Sequence, residues 1–143
     1  MIAISKEKNV IYSFKGKWLE PILNGDVRAF FRKRFPKEKP DRVYLYVGSP
    51  TSAIIGWAEV CSLNRAETSA ALSMSDDGAI DRSELSEYLD GSKYVGVFRL
   101  GKISIFESYL SVSDARQVFN FHPPQNFVQI DECDAAKLDE LGK

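Results

Sequence analysis

Histidine is almost missing from this sequence: His122 stands alone, with only two cysteines, Cys61 and Cys133, in 143 residues. A lone histidine cannot build a zinc site, and any Ser-His-Asp or Cys-His mechanism would have to pass through it. The cysteines show no CxxC spacing. Cys61 lies in an apolar strand-like run and Cys133 in an acidic stretch, so both read as reduced structural thiols. No apolar run approaches the ~20 residues of a membrane span. Met1–Lys6 has no apolar stretch long enough for a secretory signal. A cytoplasmic protein with no membrane partner, metal or cofactor is therefore expected. Internal repeats and low-complexity segments are also lacking. A chain of this length fits one domain, which buries roughly 68–70% of its unfolded surface and needs no disulfide to hold a core.

What is present is unevenly charged. The formal net charge is only −1, but residues 1–42 carry eleven Lys/Arg against five Asp/Glu, and residues 43–143 carry eight against fifteen. The first third is thus basic by six and the remainder acidic by seven. Such a division marks a possible anion-binding face, and an unevenly charged solvated surface would look the same.

The hydrophobic pattern predicts a strand over Val10–Phe14 and a short helix over Lys17–Asn24 stopped by Gly25. A strand over Val27–Arg32 precedes a basic loop closed by Pro36 and Pro40. Val43, Leu45 and Val47 alternate with Tyr44 and Tyr46 in a strong strand over Arg42–Val47. After a Gly48–Thr51 turn, Ala53–Leu63 reads as a long strand bent at Gly56. Helices are expected over Ala66–Leu72 and Asp81–Leu89, the second capped by Asp81 with Glu84 as its capping-box partner. Tyr94–Phe106 reads as two strands with a hairpin at Gly101-Lys102. Ser113 caps a helix to about Asn120, and Phe127–Ile130 is a last strand. Residues 131–143 read as an acidic tail or short helix after a domain spanning 1–130. Strands this close, without regular helix alternation, indicate an α+β fold with a curved mixed sheet or small β-barrel and helices at its rim.

Three segments could carry chemistry. Ser73–Glu84 imitates a calcium loop in its glycine, isoleucine and closing glutamate, but Ser73 and Ser75 stand where anionic oxygens are needed. A turn at Asp77-Gly78 followed by a capped helix accounts for it, and no metal site is assigned. In His122–Phe127 two prolines fix a loop that could aim Gln125 or Asn126 at a base edge; equally, Phe121 and Phe127 could simply plug the core. The third segment is basic. Arg28, Phe30 and Arg32 share one face of the predicted strand, and Lys33, Arg34, Lys37, Lys39 and Arg42 follow. Cations near aromatic faces suit phosphate contact and base stacking, although charged edge strands also serve to discourage aggregation.

The order of segments resembles the ASCH branch of the PUA-like superfamily. The resemblance runs through Ile11–Lys15, Ile22–Gly25, Phe30–Pro36, Val43–Tyr46 with Ser49-Pro50, Ala53–Gly56, Gly78–Gly91 and Pro123–Phe127, nearly the whole chain. Each motif is soft alone; the joint order is more specific. It implies a small curved β-barrel with a cleft beside the first helix, in a family that binds RNA or acts on nucleosides and RNA. The family's signature is Gly-x-Lys-x-x-Glu-x-Arg. Gly25 and Arg32 match it, but Val27 holds the lysine position and Phe30 the glutamate position. Neither can do acid–base or nucleophilic work, so no catalytic residue is assigned. Lys15, Arg28 and Glu59 are the groups elsewhere that could substitute. The expected function is a module that binds RNA, single-stranded nucleic acid or a nucleotide. Its expected ligand residues are Lys15, Arg28, Arg32, Arg34, Ser49 and Gln125. An ASCH-type hydrolase and a protein-interaction or regulatory domain are the alternatives.

Overall fold

Strand β3 (Arg42–Val47) contributes to two of the three buried clusters of this chain. Its valines and leucine face one buried cluster, while Tyr44 and Tyr46 face a second on the opposite side. The tyrosines are buried too, because helices cover that face. In the computed structural model, which describes residues 8–143, the sheet also contains β1 (Asn9–Phe14), β2 (Ala29–Arg32), β4 (Ala53–Glu67), β5 (Tyr94–Ser111) and β6 (Phe127–Ile130). The helices are α1 (Leu19–Leu23), α2 (Thr68–Leu72), α3 (Arg82–Tyr88), α4 (Val112–Ala115) and α5 (Glu132–Leu141). None is long and apolar enough to cross a membrane. The reading of Met1–Lys6 lies outside the described residues.

The strands pair in the order β2-β5-β4-β3-β1-β6. Among the described residues only β1 and β3 run parallel; the other ladders are antiparallel. Pairing leaves β2 and β6 as edges, so the sheet does not close into the expected barrel. It curls instead. Tyr12 of β1 lies 5.4 Å from Phe30 of β2 and 5.2 Å from Phe98 of β5, although three strands separate β1 from β2 in the pairing order. The two ends of the curl therefore meet through side chains rather than a hydrogen-bond ladder. Phe30 and Phe98 stack at 4.4 Å with planes 5° apart at the centre of this concave core. Such aromatic pairs stabilise by about 0.5–1.5 kcal/mol beyond the burial of their area.

Gly56 is a bend, as its isolated position in an apolar strand predicts. The register shifts beside it, and a Cβ there would stand 2.1 Å from the Ser104 carbonyl oxygen. Gly101 is different. No hairpin forms at Gly101-Lys102, and β5 runs unbroken for 18 residues against a 15-residue β4. The glycine serves close packing instead, since a Cβ would lie 2.9 Å from the Cys61 sulfur.

Two caps also differ from expectation. Ser111, not Ser113, caps α4. Its hydroxyl accepts from the Asp114 amide, and the Asp114 carboxylate accepts from the Ser111 amide, both at 3.0 Å. The helix then ends at Ala115, well short of Asn120. Asp81 precedes α3 but makes no side-chain cap; it accepts from the Ser83 hydroxyl at 2.6 Å. The acidic end of the chain is the short-helix alternative. Asp131 caps α5 through the Asp134 amide at 2.7 Å, and Ala135 and Leu138 bury themselves in the second core.

Candidate nucleic-acid interface

The curl leaves a cleft of about 560 Å³ beside edge strand β2. Its walls come from the end of β1, Trp18 ahead of α1, β2 itself, α3, and Gln125 from the loop before β6. β2 is a four-residue edge strand that pairs on one side only, with β5. The loop of Gln125 is pinned by Ser13, whose hydroxyl donates to the Pro124 carbonyl at 2.7 Å.

Arg32 ends β2 inside this cleft. Its guanidinium lies 4.7 Å from the Phe14 ring centroid, 5.0 Å from Phe30 and 5.4 Å from Tyr12. Nη1 donates to the Phe31 carbonyl at 2.9 Å and Nη2 to the Ser13 carbonyl at 3.1 Å. A guanidinium has five N–H donors, so capacity remains. Among the described residues no carboxylate pairs with it. Burial pulls its pKa below the ordinary 12.5, yet an arginine stays charged at any physiological pH. A partly buried cation held by rings and carbonyls, without an anion, is the main electrostatic feature of the cleft.

Tyr12 supports the same corner. Its hydroxyl donates to the Arg34 carbonyl at 2.8 Å, and burial pushes its pKa above the ordinary 10.0, with Arg32 partly opposing the shift. Helix α3 adds Glu84, Glu87 and Tyr88 to the cleft wall. Glu84 is held by an ion pair with Lys17.

Of the sequence-derived ligand residues, Lys15, Arg32 and Gln125 line this one cleft. Three do not. Arg28 is exposed ahead of β2 and pairs with Asp77 at 2.9 Å, a carboxylate that Arg99 also engages at 3.1 Å. That places Asp77, from the calcium-like loop, in a pair of ion pairs; no group of three or more potential metal ligands occurs among the described residues. Arg34 is exposed beyond the cleft and contributes its carbonyl to Tyr12. Ser49 is exposed in the turn after β3, with its carbonyl packed so tightly on Gly16 that a Cβ there would lie 2.0 Å away. The proposed row of Arg28, Phe30 and Arg32 is also not an exposed face, since Phe30 is a core residue. His122 is exposed, 3.1 Å from Arg116 Nη2, and does not line the cleft.

Trp18, Glu84, Glu87 and Tyr88 line the cleft without having been singled out as ligand residues. Trp18 has the helical spacing of an ordinary core residue, and Glu84 stands where a capping box would use it. Its real partner, Lys17, is 67 residues away in sequence. Val27 and Phe30, at the signature's lysine and glutamate positions, are both buried in the cleft wall. Glu59 lies on β4 opposite Arg42 and does not line the cleft.

This fold matches solved structures over nearly its whole length. ASCH from Zymomonas mobilis superposes with a TM-score of 0.88 at 19% identity, covering 96% of this chain and 98% of that one. The fold is that of an ASCH domain. A single-residue variant of the same Zymomonas mobilis protein gives a TM-score of 0.87 at 19% identity, covering 98% of this chain and 100% of the other. The N-terminal domain of Staphylothermus marinus McrB is more distant, with a TM-score of 0.60 at 14% identity over 94% of each chain. No family model matches the chain, and no curated protein matches it in sequence.

Proposed function

We propose that the cleft binds one nucleotide unit, presented as RNA, other single-stranded nucleic acid or a free nucleotide. The observation that carries this reading is Arg32. A guanidinium withdrawn from water without a carboxylate is costly alone and relieved by an incoming anion. Lys15 at the rim adds a second, flexible positive charge. Trp18 and Tyr88 offer aromatic surface for a base, and Gln125 offers an amide that can both donate and accept. The ASCH resemblance points to the same ligand class.

Catalysis would need an acid–base pair in the cleft. Val27 and Phe30 supply none, and of the two carboxylates there Glu84 is already paired with Lys17. Binding without turnover is the reading these residues favour.

Calorimetric titration at low salt with a mononucleotide and a short single-stranded RNA tests it. Both should bind wild-type protein. Arg32→Met, which keeps the apolar stem but removes the charge, should abolish binding of both. Absence of binding to either ligand by the wild type would overturn the proposal.

A further inference from the structure

Arg65 and Lys93 take no part in the ion pairs of the described residues, yet both converge on one ring. The Arg65 guanidinium lies 4.1 Å from the Tyr94 centroid, and the Lys93 ammonium lies 5.5 Å from it. Tyr94 is 37% exposed, a large aromatic left in water at the start of β5.

The register ties this patch to the cleft. Arg32 pairs with Gly96, and Gly96 pairs with Arg65 on its other side. Directly paired residues share a face, and so do residues two apart on a strand. Arg32, Gly96, Arg65 and Tyr94 therefore project from the same side of the sheet. One inter-strand spacing and a two-residue rise put the Arg32 and Tyr94 backbones roughly 8 Å apart. Between them the Phe35 ring lies on Gly96, where a Cβ would come within 2.6 Å of it. The same loop carries the exposed Arg34, its carbonyl held by Tyr12.

We propose that Arg65, Tyr94 and Lys93 form a second nucleotide subsite, which takes the next unit of a single strand whose first unit sits at Arg32. The inference rests on the binding role proposed for the cleft and extends it. A guanidinium plane backed by an aromatic ring is a surface on which a base stacks, and the two cations serve its phosphate. Nucleotides of a strand rise about 3.4 Å when stacked and reach further when splayed, so one or two cover the distance. Glu67, opposite Tyr94 in the ladder, limits phosphate contact to the side of the two cations. The preferred ligand is then a strand rather than a free nucleotide.

The test compares a mononucleotide with a single-stranded RNA of about eight nucleotides, a length within the ordinary site size of such proteins. The wild type should bind the RNA more tightly. Tyr94→Ala should remove about tenfold to a hundredfold of RNA affinity, the range of one lost stacking contact, and leave mononucleotide affinity unchanged. Arg65→Ala, at an exposed side chain, should act in the same direction with no effect on folding. RNA binding no tighter than mononucleotide binding would overturn the second subsite while the cleft's role stands, as would full RNA affinity in both variants. Loss of binding to both ligands by the wild type would overturn the cleft's role itself, and the second subsite with it.

Discussion

Arg32 and Ser13 are joined across the mouth of the curled sheet: Nη2 of the arginine donates to the serine carbonyl at 3.1 Å. The bond links edge strand β2 to β1 where no ladder does. The residue that would meet an anion thus also holds the cleft's two walls in position. Arg32→Ala should lower stability by about 1–3 kcal/mol, from the lost bonds to Ser13 and Phe31 and the lost contact with three rings. Urea unfolding measures it. Ligand should raise the wild-type midpoint and leave that of the variant unchanged, because only a native-state binder stabilises by mass action.

Salt dependence separates the cleft's cations from the rest. Each phosphate that Lys15 or Arg32 neutralises should add ~0.7 to the log–log slope with which single-strand binding weakens with salt. Lys15→Ala should flatten that slope. Arg28→Ala should leave it intact, because Arg28 faces Asp77 outside the cleft. Fluorescence anisotropy at several salt concentrations gives both slopes. An unchanged slope in Lys15→Ala would remove that residue from the interface.

The signature glutamate cannot simply be restored. Phe30 is 4% exposed and stacks on Phe98. Phe30→Glu would delete that stack and place a carboxylate among Tyr12, Phe14 and Phe98. A loss of about 3–5 kcal/mol is expected from the large-to-small change and the buried charge together. Arg32 close by would offset part of it. Thermal denaturation reads the cost, and a variant as stable as wild type would show that the wall tolerates a catalytic carboxylate.

The sheet was legible wherever one strand carries its own pattern. Arg42–Val47 and Phe127–Ile130 begin and end where alternation and turn residues put them. The sequence failed where a glycine had two physical uses. Gly56 and Gly101 look alike in an apolar run, but one bends a strand and the other admits the Cys61 sulfur. Lys15, Arg32 and Gln125 could be named because charge and loop chemistry are local properties. The α3 wall could not, because Glu84 and Tyr88 reach the cleft only through contacts between distant segments. That Arg28 pairs with Asp77 outside the cleft is hidden for the same reason: nothing near it in sequence announces Asp77. Of the curved sheet and the barrel that the strand pattern allowed, the sheet is not closed, because β2 and β6 stand at opposite ends of the pairing order.

Two buried phenols should limit the stability of this fold in alkali. Tyr44 donates to the Asp139 carboxylate at 2.8 Å and so ties α5 to the sheet, while Tyr12 donates to the Arg34 carbonyl and ties down the loop after β2. Burial raises both pKa values above the ordinary 10.0; the Asp139 carboxylate adds to the rise at Tyr44, and Arg32 opposes it at Tyr12. A phenol whose folded pKa is raised binds its proton more tightly when folded. Its contribution is fully present below the unfolded value and is lost as pH climbs through the folded one. Stability should therefore hold to about pH 10 and fall steeply above it, a range in which each phenol still neutral in the native state ionises on unfolding. Tyr44→Phe should cost about 1 kcal/mol at neutral pH, for one lost hydrogen bond to a carboxylate, and make the alkaline decline shallower. Tyr12→Phe with Tyr44→Phe should flatten it further. Urea midpoints between about pH 8 and about pH 11 provide the measurement. An alkaline decline as steep in the double variant as in wild type would show that other groups control it.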